Sequence, residues 1–145
     1  YPSLGWMEGT CLSLGRGTPG PFKQFGHPEY AGVTHSFIPV PNAINTHPRY
    51  AFKTCYGISL DTLQWLKHHP RKIELSWILQ AYKSIPSQVP FFESSFDAHS
   101  GTKQLQLLIK NGASEAQIRS GWKKNLDLFK KRRQRYLLYP DFKNS

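Results

Sequence analysis

Residues 102–136 read TKQLQLLIKNGASEAQIRSGWKKNLDLFKKRRQRY, and this stretch decides the fold class. Thr102 can cap a helix in which Leu105, Leu108 and Ile109 share one face, and Asn111-Gly112 supplies its stop. Ser114 opens a second helix, and Gln117 completes a Ser-x-x-Gln capping box. In that second helix Ile118, Trp122, Leu126, Phe129 and Tyr136 fall within an arc of about 80° at ~100° per residue. Lys123, Lys124, Lys130, Lys131 and Arg135 fall on the opposite side, so the stretch predicts an amphipathic helix with a basic solvent face.

Working upstream, Pro70 suits a first-turn position. Ile73, Trp77, Ile78, Ala81 and Tyr82 then recur at helical spacing until Pro86 forbids continuation. Residues 1–60 have a different texture, dense in Gly, Pro, Thr and aromatics and without a helical period. Thr34–Val40 and Phe52–Leu60 are the strand candidates, and Pro39 confines the first to an edge or a strand end. These signals predict an α+β fold over a single domain, residues 1–145. In it a small, irregular, antiparallel and barrel-like sheet in the N-terminal half packs with about three C-terminal helices.

Composition excludes several classes. The 145 residues carry 39% hydrophobic and 14% aromatic side chains, which is not the balance of a disordered chain. No apolar run approaches the ~18 residues of a membrane span. The formal net charge is +10, yet residues 1–100 hold eight cations against six acids and residues 101–145 hold eleven against three. The excess therefore belongs to the last third, and it suggests an anionic partner without naming one. Cys11 and Cys55 have no CxxC or His partner at metal spacing. Two buried thiols are the default and one disulfide the alternative, with no metal or cofactor expected. The first residues, Tyr1-Pro2-Ser3-Leu4-Gly5-Trp6, are not a signal peptide and read as the start of an excised or processed piece.

The chemistry-bearing motifs lie at the other end from the charge. Glu8-Gly9-Thr10 is followed by Gly15-Arg16-Gly17-Thr18 and Pro21-Phe22. The spacing is neither a P-loop nor a dinucleotide fingerprint, so nucleotide binding has no support. Glycine on both sides of Arg16 lets the backbone turn sharply, and a guanidinium so held suits bidentate contact with a carboxylate or sugar acid. Equally, Arg16 can pair internally, with Glu8 as the partner. Glu8, Glu29, Glu93 and Asp97 are the carboxylates available for glycosidic chemistry, but nothing in their spacing pairs them, and no GxSxG nucleophile elbow occurs. The basic helix admits three readings. It can be a solvated face, a contact for an anionic cell-wall polymer, or a nucleic-acid contact. The last is disfavoured because the helix starts Ser114-Glu115-Ala116-Gln117, with its cations two turns later.

The same residues resemble a known family. Leu4-Gly5-Trp6-Met7-Glu8-Gly9-Thr10, Ser13-Leu14-Gly15-Arg16-Gly17-Thr18 and Pro21-Phe22-Lys23-Gln24-Phe25-Gly26 are similar to the corresponding segment of the NamZ-type exo-β-N-acetylmuramidases. Phe37-Ile38-Pro39, Cys55-Tyr56-Gly57-Ile58, Phe96-Asp97 and the ending Tyr136-Leu137-Leu138-Tyr139-Pro140 follow in the same order. This family, long a domain of unknown function, joins an N-terminal Rossmann-like catalytic domain to a C-terminal auxiliary domain, and the chain resembles only the second. The resemblance implies a peptidoglycan-derived glycan bound where the two parts meet, with the acid chemistry supplied by the other part, in the periplasm or cell envelope. It carries over Glu8, Thr10, Arg16 and Thr18 as substrate-side residues. Arg16 would orient the lactyl carboxylate of N-acetylmuramic acid, and Glu8 would hold Arg16 or a sugar hydroxyl. Cys11 departs from the Asn often found at its position, which puts a polar contact there in doubt.

Overall fold

A computed structural model describes residues 1–60 and 72–141. In these, a short helix α1 (Pro2–Gly5) runs into a 3-10 turn (Trp6–Gly9). Three strands follow: β1 (Gln24–His27), β2 (His35–Phe37) and β3 (Cys55–Ser59). The C-terminal part holds helices α2 (Ser76–Ser84), α3 (Phe96–Ser100), α4 (Lys103–Lys110) and α5 (Glu115–Arg133), then a 3-10 turn (Gln134–Tyr136). The architecture is α+β, with a small antiparallel sheet in the N-terminal half and helices after it, as the sequence predicts.

β3 is the central strand, flanked by β1 and β2, both antiparallel to it. Its Gly57 faces Gly26 of β1 and His35 of β2. A Cβ on Gly57 would stand 1.9 Å from the Phe25 carbonyl oxygen, and one on Gly26 would stand 2.3 Å from that of Tyr56. No side chain fits at either place, so the backbones approach through this glycine pair. Gly26 also bonds Ser13 in both directions, at 2.8 and 2.9 Å, and so ties the N-terminal loop onto the sheet edge.

Both predicted strands are shorter than the sequence pattern suggests, for a physical reason. Beyond Phe37, the Val40 N–H leaves the ladder and donates to Gly17 O at 2.8 Å, and Pro39 has no N–H to offer. Before Cys55, Phe52 lies in the left-handed region at φ 63° and donates to Pro39 O at 2.8 Å, which makes a turn rather than strand.

The core runs between the N-terminal turns, the sheet and the helices. Leu4, Met7, Phe25, Leu75, Ile78, Phe96, Leu105, Ile109 and Ile118 are its fully enclosed members. α2 begins at Ser76, whose N–H the Glu74 carboxylate accepts at 3.0 Å, so Ile73 precedes the helix instead of joining its face. The predicted Pro70 start, and His68-His69 before it, lie outside the described residues. α4 carries the predicted Thr102 cap, whose hydroxyl accepts from the Gln104 N–H at 3.1 Å. α5 carries both halves of the Ser114/Gln117 capping box.

One expectation about α5 fails in its second half. Ile118 is buried and Trp122 half-buried against Trp6, but Leu126, Phe129 and Tyr136 are exposed. The helix is 19 residues long, about 28 Å, and outruns the body it packs on. Cys11 and Cys55 are both buried free thiols, and burial pushes each up to about 11. Among the described residues no helix is long and apolar enough to cross a membrane.

Candidate functional site

The 3-10 turn at Trp6–Gly9 leaves Glu8 half-buried while fully burying Trp6 and Met7. Thr10 closes this turn. Its hydroxyl donates to Met7 O at 2.6 Å and accepts from the Leu12 N–H at 3.3 Å. Downstream, Gly15 and Gly17 both adopt left-handed backbone, at φ 73° and 82°, so glycine on each side of Arg16 is a steric requirement. Arg16 is thereby thrown outward. Its guanidinium lies 4.7 Å over the Phe22 ring and donates to Glu8 Oε1 at 2.7 Å.

Two further segments complete the surroundings. His99, in α3, places Nε2 3.9 Å from Glu8 Oε2. The loop at 42–49 is folded by Asn42, whose side-chain oxygen accepts from the N–H groups of Ile44 and Asn45 at 3.0 and 2.8 Å. That loop ends at Arg49, which pairs with Glu93 Oε1 at 2.5 Å. The neighbouring Tyr50 sits in left-handed backbone at φ 59° and donates its hydroxyl to Cys11 O at 2.7 Å, pinning the loop to the N-terminal segment. Glu93 is pinned in turn, since its N–H donates to Gly9 O at 2.9 Å.

The result is a polar cavity of about 440 Å3 whose walls include Glu8, Ser13, Arg16, Asn45, His47 and Arg49. Two guanidiniums and one carboxylate therefore share one hollow, and both cations remain partly exposed. Each is already oriented by its own glutamate, and such a forked donor in a fixed position suits a planar anion. Among the described residues no group of three or more His, Cys, Asp or Glu is gathered to hold a metal.

The four residues singled out in the sequence separate in space. Glu8 and Arg16 meet, as an ion pair on the cavity wall. Thr10 is completely buried and its hydroxyl is engaged in the turn. The Thr18 hydroxyl donates to Gly15 O at 2.7 Å and accepts from Gln24 Nε2 at 2.8 Å, beside a different hollow of about 410 Å3. Sequence reading passed over Arg49, and it named Glu93 only as an unpaired carboxylate, without this partner. Arg49 follows His47-Pro48 in a turn-rich run, and nothing local marks it. Lys123, Lys124, Lys130 and Lys131 on α5, and Arg135 in the 3-10 turn after it, are all exposed, and among the described residues none is paired with an acid. Arg133 is held by Asp141 and Arg119 by Glu115.

Comparison with known proteins then places the chain. The family model described as "Exo-beta-N-acetylmuramidase NamZ, C-terminal" matches residues 1–139. The peptidoglycan β-N-acetylmuramidase NamZ of Bacillus subtilis is 31% identical over 96% of this chain, which covers 36% of that protein. A DUF1343 family protein from Bacteroides fragilis, known from a crystal structure, superposes with a TM-score of 0.87 at 35% identity, over 98% of this chain and 40% of the other. The chain thus spans well under half the length of both relatives. On a match over nearly its full length, the chain belongs to the NamZ C-terminal domain family.

Proposed function

We propose that this chain is the auxiliary domain of a peptidoglycan exo-β-N-acetylmuramidase. Its Glu8–Arg16–Arg49 cavity would line the glycan cleft opposite a Rossmann-like catalytic part of the same protein. The observation that carries the reading is the pair of guanidiniums opening on one polar hollow. N-acetylmuramic acid differs from N-acetylglucosamine by a lactyl ether that ends in a carboxylate, so discrimination between them needs a fixed cation. Arg16 supplies the forked donor for that carboxylate. Glu8 keeps the fork aimed, and Arg49 adds positive potential from the same hollow. The proton transfers of glycosidic cleavage belong to carboxylates of the other part, because this domain contributes binding and orientation. Family membership supports an envelope location, periplasmic or secreted, where such glycans are released.

Arg16→Ala in the longer protein tests the reading. Activity on glycans ending in N-acetylmuramic acid should fall at least tenfold in kcat/KM, the order of one charged hydrogen bond of roughly 1.5–3 kcal/mol. An unchanged kcat/KM removes the assignment. The exposed, unpaired cations of α5 favour a second reading, adhesion to an anionic wall polymer. Pull-down on purified peptidoglycan decides it: binding should be strong at low salt and lost at high salt, and salt-insensitive or absent binding ends it.

A further inference from the structure

The apolar stripe of α5 continues beyond the fold that it stabilises. Ile118 is buried and Trp122 rests on Trp6 with ring centroids 6.2 Å apart, yet Leu126 and Phe129 are 48% and 57% exposed. The chain beyond the helix adds Tyr136 at 77% and Leu138 at 97%. On a solvent-bounded helix the apolar residues face the core and polar ones face water. Here the stripe keeps its helical spacing after the core has ended, and large apolar side chains held in water along one face of a helix mark a contact surface.

Two occupants fit a stripe of this shape, and charge separates them. Packing α5 against a second copy would bring together Lys130 and Arg132 of both copies, each about 40° beyond an edge of the stripe at ~100° per residue. Asp127 is the single acid between Glu115 and Arg135 to offset them. The other occupant is the part of the protein present in the relatives and absent from this chain, which covers 36% and 40% of their lengths. We infer that the Leu126–Phe129 face of α5, with Tyr136 and Leu138 after it, is the surface on which that remaining part docks. The complementary surface is an apolar strip edged by Asp or Glu, which pairs with the cations bordering the stripe. This rests on the reading that the chain is one part of a two-part protein, and it is independent of what the Arg16 cavity binds.

The test uses the longer protein carrying Leu126→Asp and Phe129→Asp together. Without any glycan present, proteolytic separation of the two parts should become at least tenfold faster, and small-angle scattering should show an expanded particle. Leu107→Asp, at an exposed position of α4, should change neither. In the 145-residue chain the same pair should leave the melting temperature unchanged, because both side chains already meet water there. Unaltered proteolysis and scattering overturn the inference. So does a loss of thermal stability in the 145-residue chain, which would show the face packed internally. A dimer of that chain abolished by the same pair also overturns it, because the occupant would then be a second copy. Docking is read without substrate and Arg16→Ala through kcat/KM, so the two readings fail separately.

Discussion

The loop that carries Arg16 and the helix that carries Lys123–Lys131 both display cations, but in different ways. Arg16 and Arg49 are each met by a glutamate, fixed over a ring or a pinned turn, and gathered on one cavity. Lys123, Lys124, Lys130 and Lys131 of α5, and Arg135 after it, are spread along a solvated face, and among the described residues none is in an ion pair. The near-neutral part of the chain thus gathers constrained charges on one cavity, whereas in the part with the +8 excess only Arg119 and Arg133 are held by acids among the described residues. Net charge locates a surface, whereas constraint locates a site: an ordered guanidinium has already lost the rotamer freedom that binding would otherwise cost.

The same contrast governs stability, and substitutions can break it. The largest expected effect is at glycine. Gly57→Ala puts a Cβ into the Phe25 carbonyl and should abolish cooperative unfolding of the chain, read by circular dichroism. Gly121, in the middle of α5, has nothing within 4 Å of an added Cβ, so Gly121→Ala should stabilise by up to ~1 kcal/mol. Were both neutral, the close approach at the sheet would be disproved.

Phenylalanine sharpens the comparison next. Phe25→Ala, at a completely buried position, should cost ~3–5 kcal/mol in denaturant unfolding. Phe129→Ala should stay within ~0.5 kcal/mol, since its ring gains little from folding of this chain. A large loss at Phe129 would mean that α5 packs along its whole length.

A smaller effect is protonic. Burial holds the His27 imidazole below its ordinary value of 6.5, and its Nδ1 accepts the Glu29 N–H at 3.0 Å. The unfolded chain therefore takes up this proton first. The His27 contribution is intact above about pH 6.5 and declines as pH falls from there through the lower folded value. Replacing His27 by Asn should flatten that slope in urea titrations between pH 7 and 5, and an unaltered slope would assign it to other groups. The least visible change is at the thiols. Both are buried and shifted to about 11, so Cys11 and Cys55 should resist a disulfide-exchange reagent at pH 8 until the chain is unfolded.

What the sequence made legible was local. Thr102, Ser114 and Gln117 bond within four residues of themselves, so the starts of α4 and α5 stand where their caps predict. The conformation around Arg16 was equally legible, because flanking glycines announce left-handed backbone. β1 was not. Gln24-Phe25-Gly26-His27 contains one large apolar residue, and it is a strand because Gly57 lets it approach. α3 was missed too, as five residues with a polar majority whose Phe96 is anchored from outside.

Two properties needed the tertiary structure. Arg49 reaches the Glu8–Arg16 hollow, with Glu93 behind it as its partner, only through contacts between distant segments, Tyr50 to Cys11 and Glu93 to Gly9. Periodicity correctly placed Ile118, Trp122, Leu126 and Phe129 on one side of α5, but it could not show where the core beneath them stops. A hydrophobic pattern records which residues are apolar together. Which of them meet protein and which meet water depends on the size of the body on which the helix rests.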